Sequence, residues 1–153
     1  MSKTQTNTAT PLRIHWLICF AAILGLMVYN VACHLWLQDH RLALDESQRI
    51  LIRSIFYLLA IALFPFTKLV RHILLRLNQT MPGDDSSRAR YLKTIIVTQA
   101  LIGINGLFGL VMFYLGDDYN TLYIFSLLAA VGLALHRPQA DEYAAIVHSR
   151  RVD

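Results

Sequence analysis

An all-α membrane protein, with four transmembrane helices in an up-down bundle, is the fold class this sequence predicts. Three observations carry the prediction. The chain of 153 residues is 56% hydrophobic and only 16% charged, against roughly 25% charged in a soluble domain. Four long apolar runs lie along it, with Arg53 the single charged residue among them. Lys and Arg fall overwhelmingly on one side of the topology that those runs imply. This composition excludes intrinsic disorder, which needs low hydrophobicity and high charge. Two cysteines, Cys19 and Cys33, exclude a disulfide scaffold.

A helix crosses the hydrocarbon core with about 20 mostly apolar residues at about 1.5 Å each. Span one is Ile14–Leu37, span two Ile50–Thr67, span three Thr94–Gly116 and span four Tyr119–Leu135. The last is the shortest, at about 26 Å, near the lower limit for crossing. Backbone polar groups cannot stay unpaired in lipid, so each run is expected to be helical. None shows the apolar/polar alternation of a barrel strand. Span one is too long for the apolar core of a signal peptide. Asn30-Val31-Ala32-Cys33 shares Ala and Cys with a lipoprotein cleavage box but has Asn where an aliphatic residue belongs, so the span is expected to stay uncut.

Basic residues set the orientation. Eleven of the fourteen Lys and Arg residues lie before span one, between spans two and three, or after span four. Arg41, Arg49 and Arg53 are the other three. The expected topology therefore has both termini cytoplasmic, in a bacterial inner membrane. The formal charge of +4 follows from this bias, and no nucleic-acid partner is implied. Residues 1–13 read as a flexible cytoplasmic tail, 14–135 as the transmembrane domain and 136–153 as a cytoplasmic tail. That tail is either frayed or a short helix starting near Asp141-Glu142.

Between spans, the Asp45-Glu46-Ser47 cluster favours the start of the second helix by capping and charge. Pro65 removes one helical donor and is expected to kink span two. Beyond it, Lys68, Arg71, His72 and Arg76 recur on one helical face, and Leu69, Val70, Ile73, Leu74 and Leu77 on the other. Two readings stay open. The segment is a short interfacial helix with Lys68, Arg71 and Arg76 at anionic headgroups, or it is a continuous extension of span two. Met81-Pro82-Gly83-Asp84-Asp85 is turn-forming and ends that helix.

Helices in lipid associate through close fit and polar contacts. Ser126, Ala130 and Ala134 share one face of span four, and Ala21 and Gly25 share one face of span one. Ala100, Gly103, Gly106 and Gly109 form a drifting stripe on span three that can serve two neighbours. The short link between spans three and four forces an antiparallel hairpin. Self-association is expected as well.

Polar residues inside the spans are the functional leads: Asn30, Gln99 and Asn105. Intramembrane amides are costly unless paired, so they form interhelical hydrogen bonds or line a polar path. No acid lies deep in any span, which argues against a transporter built on a central carboxylate. Cys19 and Cys33 stand about 21 Å apart along one helix, too far for a disulfide. His34, Asp39, His40, Asp117 and Asp118 share the outer side without metal-ligand spacing, so no metal is assigned. There is no phosphate loop, G-x-S-x-G or HExxH, so no catalytic residue is assigned and an enzyme is not expected.

Ile14-His15-Trp16 resembles the His-Trp pair in the first span of bacterial cytochromes b561, which are four-span haem proteins. The resemblance covers three residues. It implies histidines on several helices, but the apolar stretches of spans two and three have none; His136 alone shares the depth of His15. That family is not assigned, and no cofactor is expected. The leading expectation is a small integral inner-membrane protein acting through helix–helix contacts. It would serve as an accessory subunit or an oligomeric bundle, with the lipid bilayer and another copy or another membrane protein as partners. The alternative is a minimal transporter or channel for a small solute or ion; a haem or metal redox role ranks below both.

Overall fold

The computed structural model describes residues 12–81 and 86–149. The N-terminal tail up to residue 11, the turn residues 82–85, and Arg150 and Arg151 lie outside the described residues. Five α-helices and one short 3₁₀ turn account for the structure, with no strand among the described residues. They are α1 (Arg13–Leu35), α2 (Glu46–Thr80), α3 (Ser87–Tyr114), α4 (Tyr119–Leu135) and α5 (Ala140–Ser149). Three of them, α1, α2 and α3, are each long and apolar enough to cross a membrane. Helix α4 has 17 residues and is followed by α5 at a bend of 45°.

The outside of the molecule is apolar. Leu17, Phe20, Leu24, Met27, Leu58 and Leu127 are all more than 60% exposed. A continuous coat of this kind is unstable in water and natural in lipid.

Helix α3 is the hub, packing against α1, α2, α4 and α5. Around it the buried side chains form three clusters. Cys33, Phe113 and Leu122 lie at the end near the α3–α4 turn. Ala60, Met112 and Phe125 lie beside them on the α2 side of α3, where Tyr57 stacks on Phe125 and Phe56 on Phe108. Tyr91, Ile95 and Ile146 lie at the opposite, basic end. Close approach is made by glycine. A Cβ on Gly109 would sit 2.9 Å from the Phe125 Cβ, and one on Gly132 would sit 2.6 Å from the Ile102 Cγ2. These two glycines are what let α3 and α4 pack this tightly. Gly106 faces α1, where the nearest obstacle is the flexible tip of Leu26.

Helix α1 stops at Leu35, two residues short of the apolar run. Leu37 enters the 3₁₀ turn Leu37–His40 and packs on the Cys33 cluster instead. Helix α2 begins at Glu46, with Asp45 at its N-cap. The Asp45 side chain makes no capping hydrogen bond, so the acids here act by charge at the positive helix end rather than as a cap.

Helix α2 continues unbroken through Pro65 for 35 residues, about 52 Å. Of the two readings of residues 68–78, the extension holds. The reason is packing: the extension lies against α3 and α5. Asn78 donates to the Thr94 hydroxyl at 2.8 Å, and Arg90 donates to the Met81 carbonyl at 2.7 Å. Helix α3 then starts with a true cap, the Ser86 hydroxyl accepting from the Ala89 N–H.

The turn between α3 and α4 needs Gly116, whose φ is 88°. A Cβ there would also stand 2.6 Å from the Leu42 carbonyl oxygen. The Leu42 N–H donates to the Tyr114 carbonyl and Arg49 donates to the Gly116 carbonyl, so the α1–α2 loop clamps the turn.

Candidate functional site

The best-formed polar site lies at the basic end, where α4 runs out. The last carbonyls of any helix lack intrahelical partners and carry the negative end of its dipole. Here Arg71, one turn beyond Thr67 on α2, reaches them. Its guanidinium donates to the His136 carbonyl at 2.5 Å and to the Arg137 carbonyl at 2.8 Å. The bend after α4 turns α5 back toward α2, bringing Glu142 against the same guanidinium. Arg71 grips both carboxylate oxygens, at 3.0 and 2.6 Å, in the two-pronged geometry that suits Arg and carboxylate. The pair is largely enclosed, with side-chain exposures of 8% and 18%.

Two α3 residues complete the network. The Tyr91 hydroxyl donates to Glu142 at 2.9 Å and accepts from the Gln139 N–H at 2.8 Å. Gln99 donates to the His136 carbonyl at 3.1 Å and reaches Cys19 Sγ on α1 at 3.2 Å. All five helices thus meet around one ion pair. Beside it is a cavity of about 500 Å³ bounded by α2, the end of α4 and the start of α5. Arg71 and Glu142 are among its enclosed polar members; Lys68, His72 and Gln139 are exposed and stand at its mouth. Phe64, Pro65 and Leu135 form an apolar wall.

This arrangement corrects the placement of Arg71. Sequence spacing put it with Lys68 and Arg76 on a headgroup-facing stripe, yet it is buried and points inward, while Lys68 and Arg76 are exposed. The physical reason is the combined pull of a carboxylate and two orphan carbonyls, which compensate its desolvation. Tyr91 and Glu142 were not singled out as site residues by sequence reasoning. Glu142 is 71 positions from Arg71, and no local spacing links them. The available signal was the rule that a charge among apolar neighbours needs a partner.

The three intramembrane amides do not meet. Asn30 lies in the half nearer the α3–α4 turn, where its amide donates to the Leu26 carbonyl at 2.7 Å and to the Ser126 hydroxyl at 3.0 Å. Tyr29 also bonds the Ser126 hydroxyl, tying α1 to α4. Gln99 belongs to the basic-end network. Asn105 is fully buried on α3, and neither its amide nitrogen nor its oxygen has a hydrogen-bond partner.

The small residues divide into two sets. Gly106 and Gly109 pack inside the bundle, as does Gly132, which lies off the four-residue spacing of Ser126, Ala130 and Ala134. Gly25 and Gly103 have nothing within 4 Å of where a Cβ would stand, and Ala21, Ala100 and Ala134 are exposed. Ser126 and Ala130 line a shallow apolar groove between α1 and α4.

On the opposite rim, the three basic residues outside the basic end are all engaged structurally. Arg41 lies over the Phe113 ring at 3.9 Å, Arg49 holds Gly116, and Arg53 pairs with Asp117 at 3.1 Å. His34 stacks on Tyr119 and bonds the Tyr123 hydroxyl. Among the described residues, no three His, Cys, Asp or Glu side chains converge as metal ligands. His15 packs against Tyr91 and Tyr143, and the His136 Nδ1 bonds the Gly132 carbonyl. No protein-family model, curated protein or solved structure matches this chain.

Proposed function

We propose that the chain is a bacterial inner-membrane protein that crosses the bilayer four times in up-down order, with the basic end cytoplasmic. It acts through contact with a further membrane helix, as an oligomeric bundle or as the accessory subunit of another membrane protein. The observation that supports this reading is the open space over Gly25 and Gly103. Three glycines are consumed in close internal packing, while these two stand on lipid-facing surface. In lipid, close backbone approach between helices is a main source of association. Gly103 follows Gln99 on α3 by one turn, and Gln99 touches Cys19 on α1. By this register Gly25 and Gly103 lie at overlapping depths of two parallel helices, as a shared contact surface requires.

Gly25→Leu and Gly103→Leu test the idea. Each fills open space and replaces Gly with a better helix former, a gain of about 0.8 kcal/mol, so the fold persists. Association is expected to fall: chemical cross-linking in membranes gives a defined product with the parent chain and loses it with either variant. Identical cross-linking of parent and variants refutes the contact surface. A minimal transporter or channel is the second reading, favoured by the unpartnered amide of Asn105. It predicts a solute flux that Asn105→Leu abolishes with assembly intact.

A further inference from the structure

The cavity beside Arg71 has more polar capacity than the protein uses. A guanidinium offers five N–H donors. Glu142 and the carbonyls of His136 and Arg137 take four from Arg71, leaving one on Nη1. Arg71 and Glu142 cancel in charge. Lys68 and His72, at the mouth, are exposed and make no hydrogen bond or ion pair with any described residue. The local balance is therefore one uncompensated positive charge with spare donors. The opposite wall is apolar and open, with Leu135 63% exposed. Phe64 and Pro65 precede Lys68 by about one turn, some 5 Å deeper toward the apolar middle of α2.

A singly negative, polar head above an apolar tail matches that order of surfaces. We infer that the cavity binds the phosphate of an anionic phospholipid, with Lys68 and His72 at the phosphate and the first carbons of an acyl chain against Phe64, Pro65 and Leu135. The site needs the spanning arrangement proposed above, because only then does its apolar wall face the bilayer. Bound there, the lipid bridges α2 to the α4–α5 bend and reinforces the joint that Arg71 makes.

The test uses the full chain in a mild nonionic detergent. Its thermal midpoint is followed against lyso-phosphatidylglycerol, lyso-phosphatidylcholine and inorganic phosphate, each titrated separately. The glycerol lipid is expected to raise the midpoint saturably, the choline lipid and phosphate far less. Lys68→Gln should raise the half-saturating concentration about fivefold, the weight of one lysine against an anionic headgroup, with the unliganded midpoint unchanged. Arg76→Gln, one turn beyond His72 and outside the cavity, should leave it within about twofold, since surface attraction is diffuse and screened. Equal responses to the two lipids, or equal losses in the two variants, overturn the site. A full response to inorganic phosphate overturns the lipid source. A chain recovered without detergent in the aqueous fraction instead overturns the spanning arrangement.

Discussion

Asn105→Leu should make this protein more stable. Asn105 is fully buried, and its amide nitrogen and oxygen both lack partners. Burying an amide without a hydrogen bond costs about 1–3 kcal/mol in water-referenced proteins. In a bilayer the dispersed helix also leaves the amide poorly solvated, so part of that penalty cancels between the two states. The measured mean for interhelical polar contacts, about 0.6 kcal/mol, reflects that cancellation. Leu keeps the branched four-heavy-atom outline of Asn, but its two methyls are bulkier than the amide, so repacking around them offsets part of the gain. The net gain is about 1 kcal/mol. Gln99→Leu is the matched comparison. It removes donations to Cys19 and to the Leu133 and His136 carbonyls, and should cost about 1–2 kcal/mol. Unfolding in mixed micelles, titrated with a denaturing detergent and followed by helical circular dichroism, measures both. A loss of 1 kcal/mol or more in Asn105→Leu would refute the reasoning, because it would mean the amide is satisfied by a bound water or solute.

The same assay checks three further expectations. Arg71→Met leaves the largely enclosed Glu142 without its countercharge and the Arg137 carbonyl without its donor and should cost about 3–5 kcal/mol, whereas Glu142→Gln, which leaves Arg71 on the carbonyls, should cost less. Gly132→Ala drives a methyl to 2.6 Å from the Ile102 Cγ2 and should cost about 1–3 kcal/mol. Ile102→Leu, which removes that methyl branch, should recover part of the loss in the double variant. Gly106→Ala meets only the tip of Leu26 and should cost less than Gly132→Ala. Arg53→Gln breaks a pair whose arginine is 32% exposed but whose Asp117 is only 4% exposed; it leaves a buried carboxylate without its countercharge and should cost more than the roughly 1 kcal/mol of a fully exposed pair.

The helices were readable because lipid removes the ambiguity of short apolar segments: a run of uncharged residues long enough to span has to close its own hydrogen bonds. All four apolar runs fall within helices α1 to α4 apart from residues at their ends, such as Leu37, where tertiary packing outweighs hydropathy. The turn at Gly116 was equally legible as a hairpin. The site was less so. Amphipathic periodicity describes one helix against an undifferentiated surround. It cannot register that the α4–α5 bend brings Glu142 to one side of α2, so Arg71 read as surface charge. Gly132 escaped notice because its partner, Ile102, is on another helix. Gln99 was found by polarity alone, yet its partners are backbone carbonyls, which spacing of side chains does not reveal. The open surfaces at Gly25 and Gly103 were legible as small residues, but which neighbours they serve depends on the packing around α3.

The proposed topology has α1 to α4 crossing a bilayer alternately, with both chain ends on one side. Reporter fusions made after Gln38, Thr80, Asp118 and Asp153 measure this directly, using paired enzymes active only in the cytoplasm or only outside it. Cytoplasmic activity is expected for the fusions after Thr80 and Asp153, and external activity for those after Gln38 and Asp118. The same activity on both sides of any one helix would contradict the account.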